Sequence, residues 1–282
     1  MKIIQTIKEM QSWSEDLHRK GFKISFVPTM GALHRGHLEL VRCAKSKSDV
    51  TVVSIFVNPT QFGPHEDFNA YPREIESDSE KLSTENVDVL FVPSAEEMYE
   101  TEFQTQIEAK NASQGLCGDF RPNHFQGVAT VVLKLFNIVK PHVVVFGEKD
   151  YQQLLVIKHM VEDLNLNIEI ISHAIIRDTD GLALSSRNAR LSQEERKKAL
   201  IIPATLSRAE ELYKSGERDV SILLAKLHEF IDREGDVHLQ YLEIRDALTL
   251  KNISKVERKA VVALAAHVGN VRLIDNCFLA GC

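Results

Sequence analysis

The sequence is poor in cysteine and has no long hydrophobic run. Its four cysteines, Cys43, Cys117, Cys277 and Cys282, are scattered, and none forms a C-x-x-C pair. That pattern disfavours a structural zinc site and predicts free thiols in a reducing compartment. The longest apolar run, Ala260 to Ala266, is far shorter than the roughly 20 residues of a membrane span. The N-terminus also lacks the features of a secretory signal, so a cytoplasmic location away from membranes is expected.

Glycine, proline and positive charge are scarce as well. The chain has 13 glycines and 8 prolines, which excludes a collagen-like or linker-dominated protein. It has 34 Lys and Arg against 40 Asp and Glu, a net charge of −6, which argues against nucleic-acid binding. The 282 residues are 44% hydrophobic, an ordinary globular composition, and their number predicts one or two domains.

Short β-rich runs alternate with helical patterns in the first part of the chain. The predicted strands are Ile24–Val27, Thr51–Val57, Val87–Val92, Val143–Phe146 and Asn167–Ser172. The predicted helices between them are Leu38–Lys47, Val128–Val139 and Tyr151–Leu164. Apolar strands separated by helices predict an α/β fold, a Rossmann-like parallel sheet with helices on both faces. The acidic stretch Glu74–Glu85 is interpreted as a solvated helix face.

The pattern changes near residue 180. Two helices are predicted there, Ser192–Lys214 with a capping box of Ser192 and Glu195, and Val220–Arg233. The strands Val237–Arg245, Lys259–Ala266 and Val271–Ile274 follow. Helices followed by strands predict a smaller α+β domain, so we expect domains at 1–180 and 181–282.

The segment PTMGALHRGHLELV, Pro28 to Val41, joins the first predicted strand to a helix. Ligands bind at the carboxyl ends of parallel strands, and a helix N-terminus attracts phosphate. His34 and His37 are three residues apart, so they face the same way on the first turn. They could hold phosphate oxygens, or they could simply cap the helix. A zinc site is a further alternative, although other ligands are not apparent nearby.

H-x-G-H after a first strand resembles the signature of the class I nucleotidylyltransferases. Five further strings extend the likeness to the pantoate–β-alanine ligase family: VNPTQF at Val57, DFNAYPR at Asp67, FGEKDYQQ at Phe146, LSSRN at Leu184 and RLIDN at Arg272. These matches span nearly the whole chain in the right order. One departure is Asn123, where the family usually has glycine. Asn tolerates left-handed backbone angles, so we expect a local change only.

The resemblance implies an ATP-dependent, AMP-forming ligase that joins pantoate to β-alanine through an acyl-adenylate. The residues 1–180 would bind ATP and pantoate, and the domain 181–282 would act as a lid. Three alternatives stay open: another nucleotidylyltransferase that stops at a nucleotide product, a non-catalytic nucleotide-binding module, and a fragment of an RNA-handling synthetase.

By resemblance, His37, His34 and Lys149 are the catalytic residues. The implied ATP contacts are Met30, Gly31, Ala32, Leu33, His34, Arg35, Gly36, His37, Gly147, Glu148, Lys149, Asp150, Ile176, Leu184, Ser185, Ser186 and Arg187. Gln61 and Gln153 are implied as pantoate contacts, Gln61 also for β-alanine, with Asn58 orienting the same wall. Mg²⁺ is expected with ATP, bound through phosphates and water, with no protein ligand. The resemblance also implies a homodimer.

Overall fold

The computed structural model describes residues 1–64, 66–234 and 237–279. They form a six-stranded sheet and a separate three-stranded sheet. The strands are β1 Lys2–Ile4, β2 Ile24–Thr29, β3 Val50–Ile55, β4 Val89–Phe91, β5 Val143–Gly147, β6 Glu169–His173, β7 His238–Asp246, β8 Ala260–Val268 and β9 Val271–Leu279. The helices are α1 Ile7–Arg19, α2 Arg35–Lys45, α3 Ile75–Thr84, α4 Ala95–Met98, α5 Cys117–Phe120, α6 His124–Val139, α7 Tyr151–Asp163, α8 Gln193–Ala199, α9 Ile201–Lys214 and α10 Val220–Glu234.

Contacts divide the chain into two compact units. The first comprises residues 1–113, 118–148 and 153–174, and the second comprises residues 114–117, 149–152 and 175–282. No helix in the described ranges is long and apolar enough to cross a membrane. The thiols of Cys43, Cys117 and Cys277 are free, and Cys282 lies outside the described residues.

The first unit contains the predicted parallel sheet, in the order β1-β4-β3-β2-β5-β6. All five pairings are parallel, and helices flank the sheet. The strand order reverses at β2, because β3 and β4 continue on one side of it while β5 and β6 lie on the other. Such a reversal opens a crevice at the carboxyl ends of β2 and β5, where α/β proteins bind ligands. The predicted fold class is confirmed.

The core of this unit comes from its apolar strands and amphipathic helices. Val27, Val53, Leu90 and Val145 are buried against Val41 of α2. At the start of α6, Asn123 has φ +63°, in the left-handed region. Asparagine tolerates this conformation better than most residues, as the sequence suggested.

The second unit packs helices against an antiparallel sheet of order β7-β8-β9. Its core includes Leu206, Leu223, Leu242, Leu264 and Leu273. The capping box is present: Ser192 N–H donates to Glu195 Oε2 at 2.8 Å, and Glu195 N–H donates to Ser192 Oγ at 3.2 Å.

The prediction of one continuous helix over Ser192–Lys214 is wrong. The first helix ends at Ala199, and a second begins at Ile201. Pro203 explains the break, because it has no N–H to donate to the Ala199 carbonyl and is tolerated only in the first turn of a helix. Strand β9 was predicted to end at Ile274 but runs to Leu279, through the buried polar residues Asp275 and Asn276.

Candidate active site

The turn after β2 has a backbone conformation that few residues accept. Gly31 has φ +83° and Ala32 has φ +49°. A Cβ on Gly31 would lie 3.0 Å from Ile55 Cγ2 and 3.2 Å from Asp78 Oδ2. Thr29 closes the turn: its hydroxyl accepts the Gly31 N–H at 3.2 Å. The chain therefore makes a tight turn at the end of β2 and then enters the first turn of α2.

Both histidines of the H-x-G-H string cap α2. His34 is the N-cap residue, and its Nδ1 accepts the Gly36 N–H at 3.1 Å. His37 Nδ1 accepts the His34 N–H at 3.3 Å. Each Nδ1 is an acceptor, so the hydrogen bonds place the proton of a neutral ring on Nε2. The two rings lie 4.0 Å apart between centroids, so the prediction that they face the same way is confirmed.

Helix α3 holds the residue before His34 through its backbone. Asp78 is fully buried, and its Oδ1 accepts the Leu33 N–H at 2.7 Å. Lys81 Nζ donates to the Leu33 carbonyl at 2.9 Å and lies 3.4 Å from Asp78 Oδ1. The prediction that Glu74–Glu85 is only a solvated face is therefore wrong at Asp78. A buried carboxylate is stable there because it has a backbone donor and a cation beside it.

Asp78→Ala should lower the free energy of unfolding of this unit by about 2–3 kcal/mol, because a buried Leu33 N–H would lose its acceptor. The only tryptophan, Trp13 in α1, belongs to the same unit, so its fluorescence in a urea titration reports the change. Glu80→Ala on the exposed side of α3 is the matched control and should stay within about 0.5 kcal/mol of the parent. Equal losses in the two variants would contradict the role of Asp78.

A group of amides follows β3. Asn58 is 1% exposed, and its Nδ2 donates to Gln61 Oε1 at 3.1 Å and to the Gly127 carbonyl at 3.2 Å. Gln61 Nε2 in turn lies 3.1 Å from the sulfur of Met30. The structure thus brings Met30, Asn58 and Gln61 together. Asn58 holds the Gln61 amide through this contact, and its role in substrate binding stays a prediction.

A charged pair lies on the backbone side of Gln61. Arg121 Nε donates to Glu66 Oε1 at 2.7 Å, and its Nη1 lies 3.0 Å from His124 Nε2. His124 Nδ1 lies 2.8 Å from the Gln61 carbonyl oxygen. Burial raises the pKa of the Glu66 carboxyl, and the Arg121 guanidinium outweighs that effect, so this pKa lies below its ordinary value. Arg121 is therefore part of the support of Gln61, a role the sequence did not suggest.

Strand β5 ends at Gly147, in the same unit and next to β2 in the sheet. A Cβ on Gly147 would meet only Leu40, at 4.0 Å, so the backbone here has space in front of it. Gln153 is partly buried on the first turn of α7.

Glu148 directly follows β5 and belongs to the first unit, whereas the remaining predicted residues lie in the second unit. Lys149 Nζ is 3.8 Å from Asp150 Oδ2, and the Lys149 carbonyl accepts from Asn276 Nδ2 at 3.0 Å. Leu184 N–H donates to the Ile176 carbonyl at 2.9 Å. Ser185 caps the short helical turn Ser186–Arg190 and accepts the Arg187 N–H at 3.3 Å.

The RLIDN string has a structural task in this unit. Arg177 Nη1 and Nη2 donate to the two oxygens of Asp275 at 2.6 and 3.1 Å.

In the described part of the chain, no group of three or more His, Cys, Asp or Glu residues could hold a metal ion.

A parallel sheet with a reversal of strand order, a strained turn and a capped helix start at that point define an α/β protein that binds small ligands at its strand ends. The model of the pantoate-beta-alanine ligase family matches residues 2–278. The chain belongs to that family, so the resemblance seen in the motifs is confirmed.

Relatives and solved structures agree over the full length. The pantothenate synthetase of Thermotoga petrophila is 54% identical over 279 residues, which are 99% of this chain and 100% of that protein. A pantothenate synthetase from Thermus thermophilus has a TM-score of 0.93 at 42% identity, covering 98% of this chain and 99% of that one. A Francisella tularensis pantoate-beta-alanine ligase, complexed with beta-gamma ATP and β-alanine, has a TM-score of 0.81 at 39% identity, covering 98% and 97%.

Proposed function

We propose that this chain condenses pantoate with β-alanine, consuming ATP and releasing AMP and pyrophosphate. Family membership over residues 2–278 supports the reaction. The structural observation that supports this reaction is that one unit contains both sets of groups. Two capping imidazoles follow β2, and the amides of Asn58 and Gln61 follow the neighbouring strand β3.

The chemistry explains why such a site needs ATP. A carboxylate resists attack by an amine, because its carbon is electron-rich and it has no good leaving group. In the proposed first step, a pantoate carboxylate oxygen attacks the α-phosphorus of ATP, and pyrophosphate leaves. In the second, the β-alanine amine attacks the acyl carbon of the mixed anhydride, and AMP leaves. No covalent bond to the enzyme forms, so catalysis comes from alignment and charge stabilisation.

His34 and His37 are proposed to act on the phosphates. Their Nδ1 atoms accept backbone N–H groups, so the Nε2 atoms are the ones that would donate toward an anion. The α2 N-terminus adds a partial positive charge in the same place. His37 is the proposed proton donor as pyrophosphate departs, and Lys149 supplies a further cation to the phosphates.

The other ATP contacts belong to the same proposal, on the strength of the family motifs. They are Met30 to Gly36, Gly147, Glu148, Asp150, Ile176, and Leu184 to Arg187. Mg²⁺ would reach the site on the ATP phosphates, because it keeps most of its water. We assign no protein ligand to it. A homodimer and a cytoplasmic location remain predictions from the family and the sequence.

Gln61 and Gln153 are the proposed pantoate contacts. A neutral amide suits a substrate with hydroxyls and a carboxylate, since it can hydrogen-bond without adding charge. Gln61 is held with its oxygen on Asn58 Nδ2, so it offers N–H groups.

The product test separates this proposal from its alternatives. The purified protein with D-pantoate, β-alanine, ATP and Mg²⁺ should form AMP and pantothenate in equal amounts. Chromatography and mass spectrometry measure both products. Omission of β-alanine should stop pantothenate formation. ADP as the sole nucleotide product would exclude the adenylate route, and no product at all would favour a non-catalytic nucleotide-binding module.

A further inference from the structure

We propose that Tyr99 is a positioning residue for substrate binding, acting through Asn58 on Gln61. This inference rests on the proposed function. Tyr99 follows α4, about forty positions along the chain from Asn58, and no family string includes it. Its hydroxyl donates to Asn58 Oδ1 at 2.8 Å. The structure thus connects a residue outside every recognised motif to the proposed pantoate-binding amide by two consecutive side-chain hydrogen bonds.

The orientation of the two amides is fixed by neighbouring backbone groups, each of which can only accept or only donate a hydrogen bond. Asn58 Nδ2 faces the Gly127 carbonyl, which is only an acceptor, and Asn58 Oδ1 faces the Thr60 N–H, which is only a donor. Asn58 therefore presents an N–H to Gln61, and Gln61 must turn its oxygen toward Asn58. Gln61 Nε2 is left on the opposite side, where the Met30 sulfur, a weak acceptor, is its only hydrogen-bond partner among the described residues.

This arrangement selects the chemistry of the ligand atom. A group that offers only N–H donors recognises an oxygen acceptor, such as a carboxylate or hydroxyl oxygen, and rejects a donor. Asn58 Oδ1 accepts from Tyr99 and also from the Thr60 hydroxyl at 3.0 Å. These two hydroxyls are the side-chain groups that hold the oxygen end of Asn58 in place.

The surroundings keep Tyr99 in one position and keep its hydroxyl a donor. Its ring makes an edge contact with Phe103 at 5.0 Å, and Lys134 Nζ lies 5.6 Å from its centroid. Burial raises the pKa of the Tyr99 hydroxyl above its ordinary value, so the proton stays on oxygen throughout the neutral range. A tyrosine fixed in this way can restrain Asn58 without ionising.

Tyr99→Phe removes the hydroxyl and keeps the ring. We expect the KM for pantoate to rise about three- to ten-fold, the effect of one lost hydrogen bond, while the KM for ATP changes less than about two-fold. Tyr213→Phe is the matched control, because the Tyr213 hydroxyl has no hydrogen-bond partner among the described residues. It should leave both constants unchanged.

A double-mutant cycle tests whether Tyr99 acts through Gln61. In a Gln61→Ala background, Tyr99→Phe should raise the KM for pantoate no further. An additive effect in that background, or equal increases in the KM for pantoate and ATP, would overturn the inference. Thr60→Val, which removes the second hydroxyl on Asn58, carries the same test if Tyr99→Phe is too unstable. A parent enzyme that makes no pantothenate would refute the proposed function; a working parent with an unchanged Tyr99→Phe variant would refute only this inference.

Discussion

His37→Ala should slow the adenylation half-reaction by about 100-fold or more. The substitution removes an imidazole whose Nε2 would donate to the departing pyrophosphate, and one preorganised donor of this kind accounts for about 10²–10³ in rate. It also removes the cap on the His34 N–H, which costs about 1 kcal/mol of stability. A 100-fold slower reaction corresponds to about 2.7 kcal/mol, so cap loss alone is too small to explain it. Single-turnover release of pyrophosphate, with pantoate and ATP and without β-alanine, measures the step.

His37→Gln separates capping from catalysis. Glutamine at this position of a capping box can accept the His34 N–H, so the variant should melt close to the parent. It should still be far slower than the parent, because a neutral amide is a poor substitute for an imidazole that can donate a proton. A His37→Gln enzyme with the parent rate, or a His37→Ala enzyme with an unchanged single-turnover rate, would contradict the role of His37.

Gly127→Ala should impair pantoate binding and destabilise the first unit. The added Cβ would lie 2.5 Å from the Thr60 carbonyl oxygen and 2.8 Å from Gln61 Cα. Both are backbone atoms, so the segment that bears Gln61 must shift. Alanine is better than glycine in a helix by about 1 kcal/mol, but overpacking of this kind costs about 1–3 kcal/mol, so the net effect is a loss. We expect the KM for pantoate to rise at least about ten-fold, because Asn58 also donates to the Gly127 carbonyl.

Gly63→Ala is the control for this substitution. A Cβ on Gly63 would meet only the Glu66 side chain, at 3.6 Å or more, which is ordinary van der Waals contact and requires no shift. Calorimetry and steady-state kinetics on both variants should show a change at Gly127 and little at Gly63. If Gly127→Ala bound pantoate as the parent does, the close packing of α6 against Thr60 and Gln61 would not be needed for the site.

The sequence predicts the parallel sheet well because buried strands are nearly continuous apolar runs. The predicted strand Val143–Phe146 is observed as Val143–Gly147, and the predicted strand Ile24–Val27 is observed as Ile24–Thr29. Strand β1 was missed because it has only three residues at the sheet edge. Helix α1 was missed although Thr6 and Glu9 carry a start signal, and Thr6 Oγ1 accepts the Glu9 N–H at 3.3 Å.

The candidate site was predictable where its residues stand together in a motif. His34 and His37 are three residues apart, so helix geometry alone brings their rings together. Asp78 and Tyr99 were not predictable in this way, because their partners, Leu33 and Asn58, are more than forty positions distant. An aspartate in an acidic helix is predicted to be exposed to solvent, because hydropathy contains no information about a hydrogen bond to a distant backbone N–H. Only the packing of α3 and of the segment after α4 reveals these contacts.

The transfer of oxygen from pantoate to AMP tests the central claim most directly. Pantoate labelled with ¹⁸O in both carboxylate oxygens is incubated with the enzyme, ATP, Mg²⁺ and β-alanine. Mass spectrometry then measures the ¹⁸O content of AMP and of pantothenate. An acyl-adenylate carries one labelled oxygen between carbon and phosphorus, and that oxygen leaves with AMP when the amine attacks. The account predicts one ¹⁸O in AMP and one in pantothenate for each turnover. AMP without the label, formed alongside pantothenate, would contradict it.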